Sequence, residues 1–198
     1  NGYTRKLHAF YEDDTEDQQP SILSPDYATP GILEKYWFRE NGRDYLTKYG
    51  WMPGAPSESV LAANEVVVTQ IANILGIPCV QYEQSITDAE YTCVSECFSK
   101  RNEDIVTGQN IMDQLNSYNP IDVISYANNL GYKKEIDQMM ILDVLVGNHD
   151  RHLSNLAFSM DADTRKFTRF IPLYDNGSCL GWNRMPYEAL LIKPLDVR

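Results

Sequence analysis

Positive charge is scarce in this 198-residue chain: 17 Lys and Arg stand against 28 Asp and Glu, a net charge of −11. Proteins that grip nucleic acid draw most of their affinity from Lys and Arg against phosphates, so direct nucleic-acid binding is not expected. Histidine is scarcer still, at His8, His149 and His152. Four cysteines, Cys79, Cys93, Cys97 and Cys179, form no C-x-x-C pair and have no His at zinc-ligand spacing, so they read as reduced thiols. No apolar run is long enough to span a bilayer, and Asn1–Phe10 lacks the apolar centre of a secretory signal. A cytoplasmic protein without membrane contact is the expectation. The chain begins with Asn rather than Met, as a processed or trimmed chain does.

What is present suits one compact domain or two small lobes: 43% of residues are hydrophobic, enough for a core of ordinary size. Much of the acid sits in Glu12–Asp17, which reads as a solvated loop. Ile32–Arg39 and Asp44–Tyr49 flank Asn41-Gly42, a pair that tolerates positive φ, and predict a β-hairpin. A helix is predicted from about Ser57 to Leu75, stopped by Gly76 and Pro78. Leu61, Val68, Ala72 and Leu75 share one stripe of it, and Glu65 falls on the same stripe. A carboxylate there is costly to bury unless a cation meets it, so something positive is expected opposite Glu65.

Strands are expected over Cys79–Ser85 and Glu90–Phe98, then helices over Asn119–Leu130 and Lys133–Val146. Leu156–Met160 and Phe167–Pro172 predict a second hairpin across Asp161–Lys166. A sheet-rich first half therefore precedes a helical second half, joined near Ser99–Gly108.

The stretch that carries chemistry is Leu145–Phe158, LVGNHDRHLSNLAF, with IPLYDNG at Ile171–Gly177. Phosphoryl transfer needs a carboxylate to orient a hydroxyl and take its proton, oxygen ligands for Mg²⁺, and a Lys to neutralise phosphate. Asp150 and Asn155 supply a base and an amide oxygen from one loop, and Asp175 supplies a hard anionic ligand. GNHDRHLSN followed by LYDNG resembles the catalytic loop and metal segment of HipA-like serine/threonine kinases. YLTKYG resembles that family's ATP-binding strand, and NEVVVTQIANILGIP its following helix.

The resemblance spans about Asp26 to Leu180 and implies an α+β, protein-kinase-like bilobal fold. Residues 1–98 would form a sheet-rich N-lobe and 99–198 a partial helical C-lobe. It implies ATP and Mg²⁺ as cofactors, Asp150 as catalytic base, and Asn155 and Asp175 as metal ligands. Lys48 becomes the phosphate-binding lysine and Glu65 its ion-pair partner. The adenine-contacting hinge falls in Ser95–Phe98, with Glu96 and Phe98 as candidates. The phosphate-covering loop falls in Ser24–Gly31, although no G-x-G-x-x-G is present, and Ser21–Thr29 holds candidate autophosphorylation sites. Only 23 residues follow Asp175, part of an activation segment and little more.

The implied acceptor is a protein Ser or Thr, with an antitoxin-like partner in keeping with the family. The same D-R-H-x-x-N pattern occurs in phosphoinositide kinases, so a lipid or small-molecule kinase shares every motif, and a nucleotide-binding pseudokinase is a further alternative. A metallophosphoesterase is disfavoured, because GNHD stands here without the further histidines that two metals require. His152 is expected to brace the catalytic loop, His149 and Arg151 to face solvent without a role, and Tyr36, Trp37 and Phe38 to pack.

Overall fold

The computed structural model describes residues 35–50, 60–87, 90–100 and 102–181. The expected phosphate-covering loop in Ser24–Gly31, the candidate modification sites in Ser21–Thr29 and the chain beyond Gly181 lie outside the described residues.

Strands β1 (Lys35–Glu40) and β2 (Arg43–Tyr49) pair antiparallel from Lys35↔Lys48 to Glu40↔Arg43. Their turn is Asn41-Gly42, with φ of 52° and 78°, the left-handed pair whose twist matches the flanking strands. Arg39 clasps the opposed Asp44 at 2.7 and 2.9 Å. Strands β3 (Tyr82–Thr87) and β4 (Glu90–Glu96) pair antiparallel, and β4 also lies beside β2, setting the order β1-β2-β4-β3. That register puts Lys48 opposite Cys93 in the middle of the sheet.

Helix α1 (Val60–Leu75) packs on β3 and β4. Leu61, Glu65, Val68 and Ala72 of the expected stripe are buried. Leu75 is not: it lies exposed in the last turn, where Gly76 at φ 66° ends the helix and turns the chain away.

The stretch expected to be a bare join is structured. It holds β5 (Glu103–Thr107) and α2 (Gly108–Gln114), and β5 pairs with β6 (Ala157–Asp161), which pairs with β7 (Phe167–Phe170). A five-residue strand opening on two acids gives little local signal, and its partner is distant in sequence. Thr107 ends the strand and caps the helix through a reciprocal pair of bonds with Asn110. Helices α3 (Pro120–Asn129) and α4 (Lys133–Val146) follow, α3 capped by Asn119 and α4 closed by Gly147 at φ 64°.

Helix α1 serves two apolar clusters. Val68 and Ala72 pack with Ile111, Val123, Leu142 and Phe158, whereas Ala62 packs with Tyr82, Cys93, Ile171 and Tyr174. Val80 N–H donates to Leu173 O (2.8 Å) and Leu173 N–H to Pro78 O (3.0 Å). The segment carrying Asp175 is thereby tied to the chain leaving α1.

Gly108 sits where a side chain has no room, because an added Cβ would meet Leu153 O at 2.9 Å. Gly108→Ala is expected to destabilise the fold by about 1–3 kcal/mol through overpacking. Urea unfolding of the two proteins checks this, and an unchanged midpoint would contradict it.

Candidate active site

Lys48, the second-to-last residue of β2, has its side chain fully buried, 0% exposed, against Glu65 at 1%. Its ammonium bonds Glu65 Oε1 at 2.9 Å and Asp175 Oδ1 at 3.2 Å, and lies 5.0 Å from the Tyr82 ring centroid. The cation expected opposite Glu65 is therefore Lys48. Burying such a pair costs several kcal/mol per ion unless every polar atom finds a partner. Glu65 meets that demand by accepting Asn176 N–H on its second oxygen at 2.9 Å.

The segment Leu173–Gly177 is held from several sides. Asn64, beside Glu65 on α1, donates to Gly177 O (2.9 Å) and Cys179 O (2.8 Å). Gly177 runs so close to the helix that a Cβ there would meet Leu61 O at 3.1 Å. Asp175 itself lies at φ 57°, a left-handed conformation costing a non-glycine residue roughly 1–2 kcal/mol.

The loop after α4 begins with local side-chain bonds. Asn148 donates to Asp143 Oδ1 (3.1 Å) and accepts Asp150 N–H (3.0 Å), and Asp150 is exposed. A 3₁₀ turn, Leu153–Asn155, returns the chain to the core, so Asn155 is buried only five residues after exposed Asp150. Its Oδ1 is buried without a hydrogen-bond donor among the described residues.

Two residues of this loop depart from expectation. His152 is exposed and makes no capping bond, so it does not brace the loop. Arg151, expected to face solvent, is the brace: its side chain is only 10% exposed. Its Nε and Nη2 grip Asp143 at 3.0 and 2.9 Å. Nη1 donates to Tyr174 O (2.9 Å) and Asn155 O (3.3 Å), and Nη2 to Asn176 Oδ1 (2.5 Å). The signal for Arg151 was Asp143, a carboxylate within the apolar run Met139–Val146, which demands a cation as Glu65 does.

At the other edge of the site, the Glu96 side chain is exposed and meets Arg43 at 3.1 Å. Phe98 stacks on Tyr174, ring centroids 5.4 Å apart, and Tyr174 OH donates to Ser154 O at 2.6 Å. The Phe98 carbonyl accepts Arg169 (2.8 Å), while no described residue accepts its N–H.

Among solved structures, a Helicobacter pylori proinflammatory kinase, CtkA, superposes with a TM-score of 0.68 at 22% identity over 79% of this chain and 58% of its own. This chain has a HipA-like kinase fold. The Shewanella oneidensis HipA, solved with HipB and operator DNA, aligns at a TM-score of 0.55 and 18% identity, over 74% of this chain and 42% of its own. The chain thus spans less than two thirds of the length of either neighbour. No family model and no curated protein matches the sequence.

On this kinase-like fold, the two carboxylates sharing Lys48 are not equivalent. Burial pushes Glu65 above the usual carboxylate range, against the pull of Lys48. Burial acts on Asp175 in the same sense, but Lys48, helped by Lys35 and Arg151, outweighs it and holds Asp175 at about 2. Asp175 is therefore the firmly anionic member of the pair. A hard anionic oxygen and an orphaned amide oxygen at Asn155 fit Mg²⁺, which takes few protein ligands and completes its shell with phosphates and water. The buried thiols of Cys79 and Cys179 are pushed up to about 12 by burial and stay protonated.

Lys48→Met leaves two carboxylates without their cation and should cost about 3–5 kcal/mol; Lys48→Met with Glu65→Leu should recover part of it. Denaturant unfolding of both variants checks this, and equal loss in the two would contradict it. Asp175 titrates lower in the folded chain than its ordinary 3.8. Its contribution is present above that value and is lost as pH falls toward about 2. Asp175→Asn should flatten this acid limb, read from unfolding midpoints across that range.

Proposed function

We propose that this chain is the nucleotide-binding and catalytic part of an ATP- and Mg²⁺-dependent kinase, transferring phosphate to a Ser or Thr hydroxyl of a protein. The observation that carries the reading is the buried Lys48–Glu65–Asp175 cluster, formed on a HipA-like kinase fold together with the orphaned Asn155 oxygen. In this reading residues 1–98 and 99–198 act as two lobes around the nucleotide. Lys48 neutralises phosphate charge, and Glu65 keeps it in place. Phe98 offers its N–H to the adenine ring. Glu96 contributes main chain only, since its side chain turns out to Arg43.

Asn155 and Asp175 would hold Mg²⁺, which supplies charge neutralisation at the transferring phosphoryl group. Asp150 orients the acceptor hydroxyl and takes its proton as the new O–P bond forms and the bond to the ADP oxygen breaks. Exposure of Asp150 suits this task, because the base must meet a hydroxyl arriving from another molecule.

HipA crystallised with HipB, and an antitoxin-like partner is proposed here by analogy. Any reach to DNA would run through that partner, given the net charge of −11. No helix of the described residues is long and apolar enough to cross a membrane, and a cytoplasmic setting is part of the proposal. A second reading is a nucleotide-binding module without turnover, which would share the same Lys48–Glu65–Asp175 cluster.

Calorimetry with ATP and Mg²⁺ tests the proposal. Wild type should bind with metal dependence, Asp175→Ala should lose that dependence, and Asp150→Ala should bind unchanged. Asp150→Ala should lower phosphate transfer by about 10²–10⁴-fold. Binding without transfer in the wild type would favour the module without turnover, and absence of binding would overturn both readings. The species labelled by γ-phosphate separates a protein acceptor from a lipid or small molecule.

A further inference from the structure

We propose that Arg151 is a positioning residue that sets the metal site, with Asn176 as its counterpart; this rests on the kinase reading above. The guanidinium touches both segments that carry the candidate ligands. It holds Asn155 by its own carbonyl at 3.3 Å. It holds Asp175 from both sides, through Tyr174 O at 2.9 Å and Asn176 Oδ1 at 2.5 Å. Its remaining N–H groups grip Asp143 on α4, so the clamp is anchored to a helix and not to another loop.

Three features make this more than an ordinary ion pair. Asp175 is in a left-handed conformation that a non-glycine residue adopts only when its surroundings fix it, and the residues on each side of it are bonded to Arg151. Asn176 is fully buried and divided between the two halves of the site, its N–H on Glu65 and its Oδ1 on Arg151. A continuous polar path therefore runs from Lys48 through Glu65 and Asn176 to Arg151 and Asp143. The planar fork of Arg serves several acceptors at fixed angles, which the single ammonium of Lys does not.

Arg151 touches the metal ligands' main chain and neighbours, so its removal should loosen metal binding and leave metal-free nucleotide binding alone. The probe is Mn²⁺ with ATP, followed by the electron paramagnetic resonance of free Mn²⁺, with ATP binding in EDTA measured alongside. Arg151→Met should weaken Mn²⁺ binding at least about tenfold and leave metal-free ATP affinity within about twofold. A tenfold change corresponds to about 1.4 kcal/mol. Arg151→Lys should resemble Arg151→Met, and Asn176→Ala, which keeps the main-chain bond to Glu65, should fall between them and wild type.

Thermal melts accompany each variant. If Arg151→Met does not fold, Asn176→Ala carries the test. A lowered melting temperature with unchanged Mn²⁺ affinity would mean a structural brace only and would overturn the proposal. A wild type that binds no Mn²⁺ with ATP overturns the kinase reading itself, and the proposal with it.

Discussion

The buried pair of Lys48 and Glu65 is the constraint on which the rest of the site depends. A charge taken from water into a core is tolerated only where geometry is good and the remaining lone pairs and protons are used. Here both conditions are met by the same short segment. Asp175 takes a second bond from Lys48, and Asn176 N–H fills the second oxygen of Glu65. The position of α1, the end of β2 that carries Lys48 and the segment Leu173–Gly177 are consequently one problem with one solution. Moving α1 outward would strand a carboxylate, an ammonium and an amide together.

That coupling explains why a polar residue stands between Asp175 and Gly177. An apolar side chain at this place would be held by packing alone. In this chain Asn176 is buried, but it is held by bonds to Glu65, Arg151 and the Cys79 sulfur. Apolar packing tolerates sliding, because one methyl contact resembles the next. A buried amide does not, since each displaced bond leaves an unsatisfied polar atom costing about 1–3 kcal/mol. The segment is therefore fixed by direction as well as by volume, and the bonds from Asn64 to Gly177 O and Cys179 O extend that control past the glycine.

What could be read in the sequence followed from how local each signal is. The Asn41-Gly42 hairpin and α3 announce themselves through their own turn and cap residues, and the structure has them. Glu65 was legible because a carboxylate on an apolar stripe poses a question that only a cation answers. Arg151 was missed although Asp143 poses the same question, because an Arg in a polar loop carries no local sign of a buried partner eight residues back. The strand β5 was missed because its stability lies in pairing with β6, and five residues carry no period long enough to show it. Leu75 went wrong for a geometric reason: it is the last residue of α1, next to Gly76, where the helix ends and the chain leaves the core.

The candidate site is built from four short pieces of chain, and each of its five residues is fixed by a different device. The middle of a sheet holds Lys48, an apolar helix face holds Glu65, an Asx bond holds Asp150, a 3₁₀ turn buries Asn155, and a strained residue carries Asp175. The pieces must still be referenced to one another, and local devices cannot do that. Many of the bonds that cross between pieces run through Glu65, Asn176 and Arg151, none of which needs to touch phosphate in the proposed transfer, while Lys48 and Asp175 also meet directly. In the proposed reaction, the reacting groups would take part of their geometry from residues outside the chemistry and part from the direct bond between Lys48 and Asp175.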